Sequence, residues 1–345
     1  MQNREALGML RGNRWNFEGV LGLVNYLKKP ITMNTKFTAL LCAAMFAITM
    51  LSCEKSDVDE SKGTARIEIT DAPIDDANVK STFVTIADVK LDGQSVEGFS
   101  KVTIDLLAYQ KGNTKVLGIA ELDAKTYSNI TLVLDYEKDQ NGAAPGCYVQ
   151  ETNGTRHALV STVNEITLNY NYLVQAGQQT DLVVDFDLRK AIKRQDNATD
   201  KYDFVTAAEL NTALRVAAKS KASVIKGKCQ DVISQSDKIV VYAYKKGQFS
   251  RNTEVDGQGA SDVEFSNAVT SATVDASGNY ELHFLETGEY ELVIAGYTKN
   301  NSTGQMSLKG TLTATSTNSL NLGLLNLNAG AALTVDVLVT ALLPL

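Results

Sequence analysis

Asp185 and Asp187 are the residues of this chain whose spacing comes nearest to a metal site. They lie two apart at the end of the strand-like run that begins at Thr180, so they project to one side of it. With Asp71, in the turn Asp71-Ala72-Pro73, they could offer hard oxygen ligands to calcium. The same residues have ordinary uses. Asp71 organises its turn, and Asp187 caps the short helix expected over Leu188–Arg194. The ordinary uses are the expectation, and neither metal nor other cofactor is expected. Asp256-Gly257-Gln258-Gly259 reads as turn chemistry, without the ligand spacing of a calcium loop.

The two histidines, His157 and His283, stand in no recognisable catalytic setting. The chain has no His-Glu-x-x-His zinc motif, no Gly-x-Ser-x-Gly elbow and no phosphate-cradling glycine loop. A serine triad would have to use one of these histidines, and a structural role is expected for both. Carboxylate pairs at glycosidase separation, about 5–10 Å, arise by chance in a chain with 40 Asp and Glu. The chain is therefore expected not to be an enzyme. Tyr170 with Tyr172, and Tyr242 with Tyr244, share strand faces and could form sugar platforms, but cross-strand packing is the commoner use. Cys147 and Cys229 could be joined in an exported protein, although spacing supplies no geometry. Two unpaired, part-buried thiols are expected.

These residues sit on a chain whose periodicity is that of strands. Ala65, Ile67 and Ile69 alternate with Arg66, Glu68 and Thr70, and a β-branched run extends from Val79 to Leu91, closed by Asp92-Gly93. Lys101–Leu106, Tyr127–Tyr136, Ile166–Val174 and Thr180–Phe186 read as further strands, with hairpin signals at Asn141-Gly142 and Asn153-Gly154. After a small polar linker at 218–223, a second set begins with Val224–Cys229 and Ile239–Tyr244. The polar stretch Lys245–Gly259 is expected to be a mobile loop. Asp275–Leu282 and Glu286–Ile294 each contain Gly-x-Tyr-Glu-Leu, which predicts two strands joined by a short glycine turn. The apolar run Leu333–Leu343 is either a buried central strand or a surface used in assembly. The fold class is therefore all-β, with two β-sandwich domains in tandem at 64–217 and 224–345. The turn Asn328-Ala329-Gly330 before Val335-Asp336-Val337 echoes Ala176-Gly177 before Val184-Asp185-Phe186, which suggests a shared topology.

Upstream of the strands, Met33–Ser52 has a short basic start, about 15 apolar or small residues and a small residue before Cys53, the marks of a secretory signal peptide. Met50-Leu51-Ser52-Cys53 resembles the lipobox of bacterial lipoproteins. That resemblance implies cleavage between Ser52 and Cys53 and lipid on Cys53. Residues 1–32 fit no targeting pattern and are read as an over-extended gene start, the alternative being a short helix over Trp15–Tyr26. Cys53 and the charged stretch Glu54–Gly63 form an acidic tether at 53–63. Its acidic residues are similar to the surface-export signal of Bacteroidetes lipoproteins, and a solvated spacer accounts for them equally. Residues 1–52 carry six Lys/Arg and two Asp/Glu, so their removal leaves 27 basic against 38 acidic residues. That excess argues against a phosphate-reading surface, and no nucleic acid is expected as a partner.

Thr70-Asp71-Ala72-Pro73, Lys125–Leu134 and Val174–Gly177 followed by Asp181–Asp187 together resemble the domain of unknown function 4382 of bacterial exported lipoproteins, over about 64–217. Lys125 stands where that family has glycine, and Tyr202–Val216 is longer than its closing segment. The paired Gly-x-Tyr-Glu-Leu pieces, read as a hairpin, resemble the carboxypeptidase regulatory-like, transthyretin-like sandwich, in which such a hairpin is characteristic. That resemblance implies an interaction or stability module without catalytic residues.

The resulting expectation is a non-catalytic protein, lipid-anchored at the outer membrane and facing the cell surface or the periplasm, that binds or scaffolds there. Its partners are the membrane, through Cys53, and a glycan or protein. A fimbrial subunit or tip protein is the alternative, since Bacteroidetes fimbrillins resemble this plan, with Arg66 placed for a cleavage that would release the first strand. A glycan-binding module is a further one.

Overall fold

The computed structural model describes residues 61–72, 76–195 and 201–345. The expected leader Met33–Ser52, the lipidation residue Cys53 and the tether up to residue 60 lie outside the described residues. The described residues belong to one compact unit, built mostly from strands.

The first half runs β1 (Lys62–Ala72), β2 (Val79–Leu91), β3 (Gln94–Ser95), β4 (Val102–Asp105), β5 (Lys115–Asp123), β6 (Thr126–Leu134), β7 (Tyr148–Glu151), β8 (Arg156–Ala158), β9 (Glu165–Leu173) and β10 (Gln179–Asp187). It closes with a single helical turn α1 (Leu188–Ala191), β11 (Ile192–Arg194), β12 (Tyr202–Phe204), α2 (Ala207–Ala213) and β13 (Leu214–Ala218). One sheet has the order β13-β10-β1-β5, and the facing sheet the order β8-β7-β2-β6-β9, with β3 and β4 on β2. The alternation read in β1 is realised. Ala65, Ile67 and Ile69 are fully buried between the sheets, with Leu182, Val184 and Phe186 of β10 and Ile130 and Leu132 of β6. Asp92 and Gly93 both have positive φ, 46° and 79°, the geometry of a tight hairpin turn between β2 and β3.

The second half contains β14 (Ser223–Asp231), β15 (Lys238–Lys245), α3 (Arg251–Glu254), β16 (Thr270–Thr273), β17 (Asn279–Leu285), β18 (Gly288–Lys299), β19 (Met306–Ser316), β20 (Leu325–Leu327), β21 (Ala332–Thr334) and β22 (Val337–Pro344). Seven of its strands form one hydrogen-bonded path, β16-β15-β18-β19-β22-β14-β17, with β20 paired to β18 and β21 to β14. The path folds over on itself, so that Val241 and Ile294 from one end share a core with Ile225 and Leu282 from the other.

The turn echo corresponds to a real equivalence. Gly177 N–H donates to Lys62 O, after which β10 runs parallel to β1. Gly330 N–H donates to Lys221 O, after which β21 and β22 run parallel to β14. Both glycines have positive φ, 66° and 69°, which L side chains adopt only with strain.

Several expectations are corrected. The two Gly-x-Tyr-Glu-Leu strands are not a hairpin: β17 pairs with β14, whereas β18 pairs with β15, β19 and β20. Local glycine turn chemistry specifies a corner but not the partner, and here the corner carries the chain from one end of the folded sheet to the other. Asn141-Gly142 lies in a turned loop whose amides bond Asp139, whereas Asn153-Gly154 does join β7 to β8. The helix over Leu188–Arg194 stops at Ala191, because Ile192–Arg194 pair with β12 instead. β1 begins at Lys62, two residues inside the expected tether. The stretch after Lys245 is anchored rather than mobile. Val255, Phe265 and Ala268 pack on the outer face of β15, and Glu254 is buried beneath them, accepting hydrogen bonds from the Tyr244 hydroxyl and the Asn267 amide. The C-terminal strand β22 lies inside the sheet, between β19 and β14.

Candidate functional site

The outer face of β10 positions the site. Leu182, Val184 and Phe186 point into the first core, so Val183, Asp185 and Asp187 take the opposite face. That face is covered by the second half. Val183 and Ala217 pack with Phe284 and Ala222 in a small apolar cluster, and Asp185 and Asp187 are buried beside it.

Three basic side chains cross this seam and end on backbone carbonyls. Arg215, from β13, donates to Asp185 Oδ2 at 2.5 Å, to Phe284 O at 2.6 Å and to His283 O at 3.2 Å. Arg189, from α1, donates to Asp187 Oδ2 at 3.1 Å, to Glu264 O at 2.7 Å and to Phe265 O at 3.3 Å. Its guanidinium also stands 5.1 Å from the centre of the Tyr242 ring, a cation–π contact. Lys190 donates to Ala268 O, and burial brings its ammonium down to about 8 despite Asp187 nearby. Each arginine thus bonds one aspartate of β10 and one phenylalanine carbonyl. Both phenylalanines have φ values rare for a bulky residue, 51° at Phe265 and 54° at Phe284. Phe284 falls where β14 and β17 slip register, a bulge that aims residues out of the sheet.

Asp71 shares the electrostatic environment of Asp185 and Asp187. It accepts from Gln110 Nε2 at 3.1 Å and from the Leu188 amide at 3.4 Å. Burial, with Asp185 and Asp187 adding to it, pushes its carboxyl well above the usual range. Burial also raises Asp185, with Arg215 opposing. The helical turn after Asp187 is therefore served by Asp71, while the Asp187 side chain makes no capping hydrogen bond and takes Arg189 and Lys190 instead. Protein donors reach all three carboxylates, Gln110 and the Leu188 amide at Asp71, Arg215 at Asp185 and Arg189 at Asp187 Oδ2, while Asp187 Oδ1 is buried without a hydrogen-bond partner among the described residues. Among the described residues no group of three or more His, Cys, Asp or Glu side chains is arranged to hold a metal ion.

Beside this seam opens a cavity of about 670 Å³. Asp71, Gln110 and Asp185 line it from the first half, and Ser271, Thr273 and His283 from the second. His283 Nε2 lies 2.8 Å from Glu281. His157 sits away from the cavity, buried, 3.6 Å from Glu151. The tyrosine pairs are packing. Tyr242 stacks on Phe265 at 4.2 Å and shares a hydrogen bond with Tyr297, and Tyr172 stacks on Tyr127 at 5.4 Å. Tyr170 accepts from the Ala218 amide. Cys147 and Cys229 are free and buried, and burial lifts their thiols to about 12 and about 11. Arg66 lies in mid-strand, 3.0 Å from buried Glu68. Asp256–Gly259 leads into a bridge between Gln258 and Val263. Sequence reading missed Arg189, Lys190, Arg215, Ser271 and Thr273, which belong to no motif. The one available signal was the pair of acidic residues on the outward face of an otherwise apolar strand.

Residues 62–205 match the family described as a domain of unknown function (DUF4382), within the 64–217 read from sequence at all but the first two residues. No curated protein matches. Similar solved structures include the TIE protein of Bacillus anthracis, 11% identical with a TM-score of 0.17 over 81% of this chain and 34% of that one. The chain thus spans about a third of the length of that protein. The major pilin subunit of Bacillus cereus is 9% identical, with a TM-score of 0.18 over 80% of this chain and 70% of that one. A Pseudomonas aeruginosa protein described as a candidate carbohydrate binder is 10% identical, with a TM-score of 0.19 over 35% of this chain and 91% of that one.

Proposed function

We propose that this chain is a lipid-anchored outer-membrane protein whose two β halves act as one rigid binding body, without catalysis. The observation that carries this reading is the seam. Arg189, Lys190 and Arg215 of the first half end on carbonyls of the second, and a cavity with walls from both halves opens alongside. Walls fixed before a ligand arrives lower the ordering cost of binding. At the cavity, His283 Nε2 is paired with Glu281 at 2.8 Å, an arrangement that favours binding over acyl-transfer chemistry there.

The anchoring part rests on Met33–Cys53. More than one acyl chain is needed for stable anchoring, and the lipobox resemblance implies several. Labelling cells with a fatty-acid probe tests it. Wild type takes up label, and Cys53→Ala loses both label and membrane retention. A Cys53→Ala protein that stays wholly in the membrane fraction contradicts the anchor.

A further inference from the structure

His157 sits on the short strand β8 and is buried, with 4% of its surface exposed. Its Nδ1 accepts the backbone N–H of Lys201 at 3.4 Å, so the neutral ring carries its proton on Nε2. Nε2 faces Glu151 Oε1 of β7 at 3.6 Å. Lys201 reaches that same oxygen with its ammonium, at 3.3 Å. The residue that leads into β12 is therefore held twice by this pair, once through its amide and once through its side chain.

A proton on Nδ1 acts against both holds. The imidazolium has two donors and no acceptor, so the Lys201 amide loses its partner. The new charge also competes with the Lys201 ammonium for one buried oxygen. Glu151 stays available as the anion, since burial works to raise its carboxyl but hydrogen bonds from Asn153 and Lys201 outweigh burial and hold it below the ordinary range. The Tyr202 ring stands 5.4 Å from the imidazole, with its hydroxyl committed to Asp76. The other charged groups described on these strands are engaged elsewhere. Arg156 lies over the Tyr148 ring, Arg194 bonds Asp76, and Asp203 accepts the Val160 amide. Histidine is the side chain that takes up charge between about pH 8 and about pH 5.

What Lys201 holds in place extends to the seam. Arg194 of β11 and Tyr202 of β12 both bond Asp76 Oδ2, at 2.9 Å and 2.7 Å. Asp76 lines the cavity and forms a β-bridge with Gln305 of the second half. We propose that His157 is an acid-operated latch on the β11–β12 pair: once protonated it takes Glu151 and releases Lys201, which loosens the Asp76 rim of the seam cavity. As regulation of that cavity it rests on the binding reading above, but its experiment reads the latch alone, so the two fail separately.

Amide hydrogen exchange by NMR on the full chain in detergent tests it, with protection compared at about pH 8 and about pH 5. In wild type the Lys201 amide loses about fivefold or more of its protection in acid, as loss of one hydrogen bond requires. His157→Asn keeps an oxygen for that amide and cannot take up the proton, so its protection is the same at both pH values. Should this variant fail to fold, the imidazole nitrogen shifts of wild type read the latch directly, with only Nε2 protonated at the higher pH and both nitrogens protonated at the lower. Equal protection of Lys201 in wild type at the two pH values, the same loss in His157→Asn, or a proton on Nδ1 at the higher pH overturns the proposal.

Discussion

Arg215 donates to the carbonyl oxygen of Phe284 at 2.6 Å, and Phe284 holds a φ of 54° within a strand. Arg189 and Phe265 repeat the arrangement, with φ 51° at the phenylalanine. A backbone in such a region costs about 1–3 kcal/mol and persists only where its surroundings over-determine it. Here the surroundings are an aspartate of β10, the arginine it orients and the apolar contact of Phe284 with Val183 and Ala217. The two halves are thus joined by built geometry rather than by a tether.

Arg215→Met should be strongly destabilising, by about 3–5 kcal/mol, because it leaves Asp185 buried without its cation. Asp185→Leu/Arg215→Met should recover a large part of that loss, since an apolar pair replaces an ion pair at little net cost. Urea unfolding of the single and double variants measures both. A double variant no more stable than Arg215→Met would remove the ion-pair explanation.

Asp71 gives a pH signature. Its carboxyl is raised in the folded protein by burial, with Asp185 and Asp187 adding to it. The folded state therefore holds that proton after the unfolded chain has released it, and the contribution is present below about pH 4 and lost as pH rises toward the folded value. Asp71→Asn keeps an oxygen for the Leu188 amide and should flatten this decline. The expected gain at neutral pH is about 1.4 kcal/mol for each unit by which the carboxyl is raised. Stability curves between pH 4 and pH 7 that coincide for wild type and variant would contradict this.

Glu209 has the opposite sign. Burial works to raise it, but hydrogen bonds from Ser261 and Thr206 outweigh burial and hold it at about 2. Its contribution is present above the ordinary value of 4.5 and is lost as pH falls toward about 2. It closes a capping box with Thr206 on α2 and accepts from Ser261 of the second half at 2.6 Å. Glu209→Gln should cost about 0.5–2 kcal/mol at neutral pH and remove most of the acid-side slope. Melting curves at neutral and acid pH read both effects.

Much of the fold could be read from residue order, and the seam could not. The inward alternation of Ala65, Ile67 and Ile69, the same-face placement of Asp185 and Asp187 and the echo of Gly177 in Gly330 follow from period two and from turn chemistry. Arg189, Lys190 and Arg215 act through carbonyls 68 or more positions away in sequence, and no local pattern reports such partners. Phenylalanine at positive φ is likewise invisible, because glycine and asparagine are the usual signals for that region. The polar look of Lys245–Gly259 hid Val255 and Phe249, whose packing on β15 is tertiary. The Gly-x-Tyr-Glu-Leu repeat misled because adjacency along the chain was read as pairing in the sheet.

The buried thiols make a simple check of packing. With Cys147 lifted to about 12 and Cys229 to about 11 by burial, neither is a thiolate near neutral pH. Iodoacetamide at pH 8, followed by peptide mapping, should leave both unmodified in the folded protein and alkylate both in guanidinium. Alkylation of Cys147 in the native state would show that the first core opens far more than its complete burial implies.

Strand β1 is held between β10 and β5, so the bond after Arg66 should resist trypsin until the protein unfolds. Timed digestion with N-terminal sequencing of fragments follows it. Rapid cleavage at Arg66 in the native state would instead favour a strand-releasing, fimbrial role.

The central claim is that the two β halves behave as one body across the Asp185–Arg215–Phe284 and Asp187–Arg189–Phe265 links. Scanning calorimetry of the full chain tests it most directly, with a single unfolding transition whose van't Hoff and calorimetric enthalpies agree as the predicted result. Two separated transitions, each unaffected by Arg189→Met/Arg215→Met, would contradict it.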